Sequence, residues 1–314
     1  MKIAIIGTGG VGGYFGAKLA RAGFDVTFLA RGEHLRAILN NGLIVKSILG
    51  DFSVKNIKAT DKVSEIENPD LIILGVKAWQ INELRDEIKK IIHKDSLVLP
   101  LQNGVMAATE LSERIETRNI LGGLCRIISK IEAPGVINHF GVTPTIVFGE
   151  LDKSLSERVN KIQDIFKTAG FESRISEDIE ADLWKKFIAI CVSGLLAVTR
   201  TTYGELRELK ETRQLLIDLL TEIYLLSQKV GVKIGSDFVK NTVSFIDTFP
   251  YDSTSSLTRD VWGGKPSEID YQNDTVVQLG EKYGVDTPVN RFVYNCILPG
   301  EIKARGLDIK TYKL

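Results

Sequence analysis

Apolar residues in the first half of the chain fall into short continuous runs, and segments with helical spacing separate those runs. Strands buried on both faces are predicted at residues 3–6, 26–29, 71–76 and 97–99. Strands of this kind that alternate with helices are typical of a parallel sheet. The pattern predicts that the alternation continues to about residue 174, with an additional hairpin over residues 43–59 that turns at Gly50 and Asp51.

Helical spacing dominates the second half of the chain. An amphipathic helix is predicted over residues 155–168, and a last extended piece follows at residues 171–175. Further helices are predicted over residues 177–199, 212–230, 236–248, 268–283 and 288–305. Strands followed by helices indicate two domains. We expect an α/β domain of the Rossmann type, with a parallel sheet, over residues 1–173 and a smaller all-helical domain over residues 174–314.

A glycine-rich segment joins the first predicted strand to a helix predicted over residues 13–22. Gly7 would allow the tight turn, Gly9 would let the backbone approach a pyrophosphate, and Gly12 would let the helix pack closely on the strand. The helix N-terminus adds N–H groups and partial positive charge. We therefore expect the whole segment to bind a dinucleotide, although a purely structural turn is the alternative; its residues are Gly7, Thr8, Gly9, Gly10, Val11 and Gly12.

The end of the second predicted strand carries the residue that should select the cofactor. Dinucleotide-binding domains that use NAD commonly place an acidic residue here to bind the ribose 2′-hydroxyl. This chain has Arg31 at that point, and Glu33 lies further along, in the next predicted helix. An arginine matches a 2′-phosphate by charge and by its planar set of donors. The sequence therefore favours NADPH, the alternative being that Arg31 is an ordinary solvated arginine.

Polar residues also follow the strands predicted at residues 71–76 and 97–99. Lys77 comes directly after the first of these strands, and Asn103 comes shortly after the second. Ligands of open α/β sheets bind beyond the carboxyl ends of the strands. Lys77 is therefore a candidate to bind the cofactor and Asn103 to bind cofactor and substrate, although either could be an ordinary loop residue.

Composition narrows the range of partners. Forty basic residues balance forty acidic residues, so no excess charge favours nucleic acid or an anionic membrane, and a small-molecule substrate is expected. Cys125, Cys191 and Cys296 are too far apart in the chain for a zinc site or a disulfide framework, so no metal is expected. The apolar start is broken at Gly7, unlike a secretory signal. We expect a cytoplasmic protein, and the sequence leaves its oligomeric state open, a homodimer included.

One lysine of the helical half is a candidate proton donor. On an ideal helix over residues 177–199, Lys185 points away from the apolar stripe, whereas Lys186 falls at its edge. From there its stem can lie on apolar surface while its ammonium enters a binding cleft. A surface lysine with no role in catalysis is the alternative. The predicted stripe consists of Leu183, Phe187, Ile190, Cys191, Gly194 and Val198.

Two further polar residues of the helical half lie at predicted helix starts. Glu268 follows Pro266 and Ser267, where a carboxylate interacts favourably with the helix dipole. Ser256 ends a polar stretch over residues 253–256. Periodicity alone leaves both as helix caps or as site residues.

These motifs together resemble the ketopantoate reductase (2-dehydropantoate 2-reductase) family along nearly the whole chain. Each matching segment is weak by itself, and the combination is specific. Beside the glycine motif and Arg31, the matching residues are Val76-Lys77-Ala78-Trp79-Gln80, Gln102-Asn103-Gly104, Glu180-Ala181-Asp182-Leu183-Trp184-Lys185-Lys186 with Cys191, Gly204-Glu205-Leu206, and Ser256 followed by Glu268-Ile269-Asp270-Tyr271.

The resemblance implies hydride transfer from NADPH to the C2 ketone of a 2-oxo acid, with ketopantoate giving pantoate on the route to pantothenate and coenzyme A. It implies that Lys186 is the acid that protonates the oxygen and that Glu268 binds the substrate's C4 hydroxyl. Ser256 and Asn103 would position the substrate. Lys77 and Arg31 would hold the cofactor, and the second domain would be all-helical.

The chain departs from the family pattern at three positions, where asparagines are common and this sequence has Ile190, Gly194 and Tyr203. Loss of amides weakens recognition of a hydroxyl, so the exact substrate stays open and another 2-oxo acid is a candidate. A further alternative is a related opine-type or 3-hydroxy acid dehydrogenase, in which a histidine or a lysine of the second domain works with the same Rossmann unit. Every histidine of this chain precedes the second domain, which favours a mechanism based on lysine. A regulator that binds NADPH without turnover is an alternative outside enzymes.

Overall fold

The computed structural model describes residues 1–312. Within it the chain divides into two compact units, one built from residues 1–102 and 106–180, the other from residues 103–105 and from residue 181 onward. The division after Glu180 comes later than the boundary expected at residue 173. The reason is that the last strand of the first unit, Glu172–Ile175, pairs with a strand of that unit.

The first unit contains every named strand of the described chain and its first five helices. Its strands are β1 (Lys2–Ile6), β2 (Asp25–Leu29), β3 (Leu43–Ser47), β4 (Phe52–Val54), β5 (Lys58–Thr60), β6 (Leu71–Leu74), β7 (Leu97–Pro100), β8 (Leu121–Arg126), β9 (Ser129–Ala133), β10 (Val136–His139), β11 (Thr145–Glu150) and β12 (Glu172–Ile175). Its helices are α1 (Gly10–Arg21), α2 (Gly32–Asn41), α3 (Ile81–Ile91), α4 (Ala107–Ser112) and α5 (Glu157–Thr168), with short 3₁₀ turns at Val63–Glu65, Ala78–Gln80 and Thr117–Asn119.

Five parallel strands form the central sheet, in the order β5-β2-β1-β6-β7. Alternate residues of β1 enter two separate apolar layers: Ile3 and Ile5 pack into the layer that contains Phe28, while Ala4 and Ile6 pack into the layer that contains Ile88. A strand that is buried on both faces has no polar positions, which is why these runs are continuously apolar. The order and the direction of the strands confirm the expected Rossmann-type α/β fold.

The expectation of one parallel sheet up to residue 174 is wrong beyond Pro100. Strand β8 pairs antiparallel with β11 in a three-stranded sheet that β12 completes, and β4, β3, β10 and β9 form a four-stranded sheet. The sequence hides β8 because it contains Gly122 and Gly123, which weaken a strand pattern. They are needed there, because a Cβ on Gly123 would overlap Leu99. The hairpin of β3 and β4 is confirmed, whereas β5 joins the central sheet.

The second unit is helical, as expected. Helix α6 (Ile179–Ile190) carries the chain into it, and the 3₁₀ turn Ile269–Tyr271 precedes the last two helices. No helix of residues 1–312 is both long and apolar enough to span a membrane. The remaining helices are α7 (Val192–Thr199), α8 (Tyr203–Glu208), α9 (Lys210–Val230), α10 (Phe238–Asp247), α11 (Ser256–Trp262), α12 (Asn273–Tyr283) and α13 (Pro288–Ala304).

The predicted helix over residues 177–199 is wrong in one respect, because it is interrupted at Cys191 between α6 and α7. The Cys191 carbonyl accepts a hydrogen bond from Asn273 Nδ2 at 3.2 Å, and the Ser193 carbonyl accepts one from Thr258 Oγ1 at 2.9 Å. Side chains from distant helices therefore bind backbone carbonyls at the interruption. Contacts over such sequence distances leave no trace in helical periodicity.

Candidate active site

The glycine segment forms the turn from β1 into α1. Gly7 has φ +97°, and a Cβ on it would lie 2.6 Å from the Val76 nitrogen. A Cβ on Gly12 would overlap the Gly7 carbonyl oxygen, so helix and strand approach as closely as the sequence predicts. Helix α1 begins at Gly10, earlier than the predicted residue 13.

Thr8 and His34 hold this turn in place. The Thr8 amide and hydroxyl both donate to the Leu29 carbonyl, at 3.1 and 2.8 Å, so the hydroxyl hydrogen is directed to the end of β2. The Gly135 N–H donates to His34 Nδ1 at 3.0 Å, which leaves the hydrogen of the neutral ring on Nε2, 2.9 Å from the Thr8 carbonyl. Burial lowers the pKa of His34. A neutral imidazole thus bridges the glycine turn and the turn between β9 and β10.

The glycine turn has a shape and charge that fit a pyrophosphate. A Cβ on Gly9 would meet nothing closer than the Gly75 carbonyl oxygen at 4.0 Å, so this side of the loop is open. The first amides of α1 have no partner within the helix, and its first turn contains no acidic residue. An anion at this position would interact favourably with the helix dipole.

Arg31 and Lys77 follow the ends of β2 and β6. Arg31 is exposed and directly precedes α2. Glu33, the acidic residue nearest to it in sequence, forms an ion pair with Arg36. Lys77 Nζ lies 5.7 Å from the centre of the Trp79 ring.

Gln102 is a structural residue of this region whose role the sequence did not reveal. It is buried, and its Nε2 donates to the carbonyls of Leu74 and Val76, at 3.0 Å each. It therefore ties the segment after β7 to the end of β6, immediately before Lys77. In the sequence it stands out only as part of a family motif, because a single glutamine carries no signal of its own.

In the helical unit, Asn103 and Glu268 are in contact. Asn103 Nδ2 donates to Glu268 Oε2 at 3.1 Å across 165 positions of sequence, and Glu268 is 7% exposed. Beside them Gly104 has φ +101°, and a Cβ on it would lie 2.9 Å from the Tyr271 carbonyl oxygen. Glu268 makes no capping hydrogen bond at the 3₁₀ turn that follows it. Helix capping therefore does not account for its carboxylate.

The two lysines of α6 differ in their surroundings. Lys185 lies 3.8 Å from Asp182, and its side chain is 43% exposed. Lys186 is half-buried and precedes the fully buried Phe187. The predicted apolar stripe is only partly right: Phe187, Cys191 and Gly194 are buried, whereas Leu183, Ile190 and Val198 are partly exposed.

Ser256 is the first residue of α11 and is exposed. The hydroxyl that caps this helix belongs to Ser255, whose oxygen accepts from the Thr258 amide at 3.0 Å. Capping, which periodicity left open for Ser256, is thus performed by its neighbour.

Two of the three positions that depart from the family pattern are packed in the core. A Cβ on Gly194 would overlap Asn273 Oδ1, so the space that a side chain at residue 194 would need is already filled by an amide. Tyr203 packs against Phe249, with ring centres 4.9 Å apart, and burial raises its pKa to about 12. Only Ile190, partly exposed at the end of α6, leaves an apolar group where an amide is common.

Comparison with known proteins agrees with this architecture. The sequence matches the family described as ketopantoate reductase PanE/ApbA over residues 3–153 and the C-terminal part of that family over residues 178–301. It is 32% identical to the 2-dehydropantoate 2-reductase of Pyrococcus abyssi, over 95% of this chain and 97% of that protein.

Solved structures show the same fold. A PanE/ApbA family ketopantoate reductase from Ralstonia eutropha JMP134 is 30% identical and superposes with a TM-score of 0.89, over 97% of this chain and all of that one. D-mandelate dehydrogenase in complex with NADH and anilino(oxo)acetate has a TM-score of 0.88 at 24% identity, over 98% of this chain and all of that one. With both of its parts matched by the family, the chain belongs to the ketopantoate reductases, a family of oxidoreductases.

Proposed function

We propose that this chain reduces the C2 ketone of a 2-oxo acid with NADPH, and that 2-dehydropantoate, which would give pantoate, is the first substrate to test. The observation that carries the proposal is the buried carboxylate of Glu268, bound to Asn103 across 165 positions. A buried carboxylate held by an amide is suited to bind a substrate hydroxyl, which can donate to it.

The first unit would hold the cofactor. The amides at the start of α1 would bind the pyrophosphate, the open side of Gly9 would let it approach, and Lys77 would bind further polar groups of the cofactor. Arg31 would pair with a 2′-phosphate, and the ion pair of Glu33 with Arg36 leaves Arg31 as the charge next to the end of β2. When bound, the reduced nicotinamide supplies the hydride that the ketone carbon accepts.

The helical unit would supply the proton and bind the substrate. Lys186 would donate a proton from its ammonium to the ketone oxygen, so that the carbonyl becomes a hydroxyl and the lysine becomes neutral. While still charged, it would stabilise the negative charge that develops on that oxygen. Glu268 would accept a hydrogen bond from the substrate's C4 hydroxyl, and Asn103 and Ser256 would orient its other polar groups.

A different 2-oxo acid is the second candidate. Ile190 places an aliphatic group where family members often have an amide, and this favours a less polar substrate. The D-mandelate dehydrogenase with the same fold was solved with NADH and anilino(oxo)acetate, a carboxylate whose neighbouring carbonyl belongs to an amide and which carries an aromatic ring. NADH, which is bound in that structure, is the alternative to NADPH as the cofactor of this chain.

The test is a screen of 2-oxo acids, 2-dehydropantoate and aromatic and aliphatic members included, with NADPH and NADH in parallel. Loss of reduced-cofactor absorbance with at least one acid, faster with NADPH, is the expected result. Binding of NADPH, measured by fluorescence, without turnover of any acid would instead favour a regulator and reject the proposal.

A further inference from the structure

Ser267, the residue directly before Glu268, is held through every polar group it has, by Glu301 of α13 and by Arg305, which directly follows that helix. Its amide lies 3.0 Å from both carboxylate oxygens of Glu301, and its hydroxyl donates to Glu301 Oε2 at 2.6 Å. Its carbonyl accepts from Arg305 Nη2 at 3.1 Å. The backbone that leads into Glu268 is therefore fixed on both of its hydrogen-bonding sides.

The same arginine reaches the residues that follow Glu268. Arg305 Nε donates to Glu301 Oε1 at 2.7 Å, and Arg305 Nη2 lies 3.3 Å from Asp270 Oδ2. Glu301 thus contacts the residue before Glu268, and Arg305 contacts both that residue and Asp270, two residues after Glu268. We call Glu301 and Arg305 with Ser267 the α13 clamp.

The clamp is costly to build. Glu301 is only 3% exposed, and a buried carboxylate is stable only where charge-assisted hydrogen bonds replace its lost hydration. Four such contacts, three from Ser267 and one from Arg305, serve this purpose. An aliphatic residue would fill the same core position without a desolvation cost, so the clamp calls for a role beyond packing.

We propose that Glu301 and Arg305 are positioning residues that orient the Glu268 carboxylate for substrate binding. This inference rests on the proposed function, in which Glu268 binds a hydroxyl of the 2-oxo acid. A rotation of the backbone at Ser267 would move the carboxylate of the next residue, and displacements of about 1 Å at a binding group commonly cost up to about a hundredfold in efficiency.

The first test is Glu301→Gln, in which the amide nitrogen cannot accept the hydrogen bonds that one carboxylate oxygen accepts now. We expect KM for the 2-oxo acid to rise about tenfold or more, with kcat less affected and NADPH affinity unchanged. The matched control is Glu150→Gln in the other unit. Glu150 is also a buried carboxylate, 4% exposed, that binds a serine hydroxyl and an arginine, here Ser156 and Arg158. The control should lower the melting temperature and leave KM unchanged.

A double-mutant cycle separates positioning from general destabilisation. If Glu301 acts through Glu268, then adding Glu301→Gln to Glu268→Gln should raise KM little further. The proposal would be overturned if Glu301→Gln raised KM by the same factor in the unaltered chain and in Glu268→Gln. An unchanged KM in Glu301→Gln alone would also overturn it.

Hydrogen exchange keeps this inference testable by itself. If the unaltered chain reduces no 2-oxo acid, the proposed function fails. The rate of amide hydrogen exchange at residues 267–272 then tests whether the clamp fixes the backbone around Glu268. Faster exchange there in Glu301→Gln, with protection elsewhere retained, would support a clamp on Glu268. Unchanged exchange would overturn it.

Discussion

The glycine turn after β1 and the surroundings of Glu268 are built in opposite ways. In the turn, backbone groups of six neighbouring residues define the candidate cofactor site, and glycines serve because a side chain at Gly7 or Gly12 would collide with backbone. Around Glu268, side chains make the contacts: Asn103 binds Glu268 across 165 residues, and Glu301 binds the preceding Ser267 across 34. A short motif can specify the first kind of site, whereas the second kind exists only once distant helices have packed.

This difference predicts where substitutions should act. In the turn, changes should alter cofactor binding through local shape and charge. In the helical unit, substitutions of site residues should alter catalysis. Substitutions of buried residues should instead alter packing, because a single buried residue there contacts several partners.

The largest expected effect is on the two adjacent lysines of α6. Lys186→Ala should lower kcat roughly 100-fold or more with NADPH affinity nearly unchanged, because a proton donor that also stabilises the oxyanion is lost. Lys185→Ala should stay within about 0.5 kcal/mol of the unaltered enzyme, since the Lys185 side chain is 43% exposed and lies as far as 3.8 Å from Asp182. The measurement is kcat of both variants with the acid identified by the screen. Loss of activity in Lys185→Ala alone would refute the assignment.

Cofactor preference tests the other region. Arg31→Ala should remove most of the preference for NADPH over NADH, which we expect to be worth about 1.5 to 3 kcal/mol from charge-assisted contacts to the 2′-phosphate. Arg21→Ala is the control, since it removes the same charge from the end of α1, where Arg21 contacts the Phe52 ring. The ratio of kcat/KM for the two cofactors is the measurement, and a ratio near one in the unaltered chain would contradict the prediction.

Alanine at two glycines, one in each region, should have opposite effects. Gly194→Ala places a methyl group onto Asn273 Oδ1 and 2.7 Å from Val293 Cγ1, so it should cost about 1 to 3 kcal/mol of stability. Gly9→Ala meets open space and should change the melting temperature little while weakening NADPH binding. Thermal melting and cofactor titration of both variants check this. A stable Gly194→Ala protein would mean that the Asn273 amide moves easily.

Substrate preference should respond to one of the three departing positions. Ile190→Asn restores a common family amide at a partly exposed site and should improve binding of 2-dehydropantoate by about 0.5 to 1.5 kcal/mol. KM for 2-dehydropantoate in the variant and in the unaltered chain is the measurement. If the unaltered chain already binds this acid tightly and the variant binds it no better, the amide is not what recognises the hydroxyl here.

The smallest effect concerns pH. Because burial lowers the pKa of His34 below 6.5, the folded protein binds fewer protons than the unfolded chain near that pH. The stability that the neutral ring contributes is therefore complete above about pH 6.5 and is lost as pH falls through the lowered pKa. His34→Gln should have a flatter profile of melting temperature against pH between about 7 and 5. Parallel profiles for both proteins would show that His34 does not titrate in this range.

What the sequence predicted follows the same division. The parallel strands, the glycine turn and the helical second half were predictable because each depends on neighbours in sequence. The sheets formed by β8 to β12 were not, since Gly122 and Gly123 are selected by contact with distant residues and weaken the local pattern.

The candidate site divides in the same way. Glu268 and Asn103 could be singled out, but only the structure brings them together. The residues of the α13 clamp, and Asn273 with its amide beside Gly194, belong to no sequence motif. The spacing of residues along the chain therefore could not predict their contacts.

The contact of Asn103 with Glu268 also has a consequence for biosynthesis. Residues 103–105 belong to the helical unit although they lie between segments of the first unit. Their partners, Glu268 and Tyr271, are synthesised about 165 residues later, which at ribosomal speeds of about 5 to 20 residues per second is a delay of roughly 10 to 30 s. The first unit can therefore complete its sheet while this segment waits, and a nascent chain halted before residue 268 would contain the glycine turn without the Asn103–Glu268 pair.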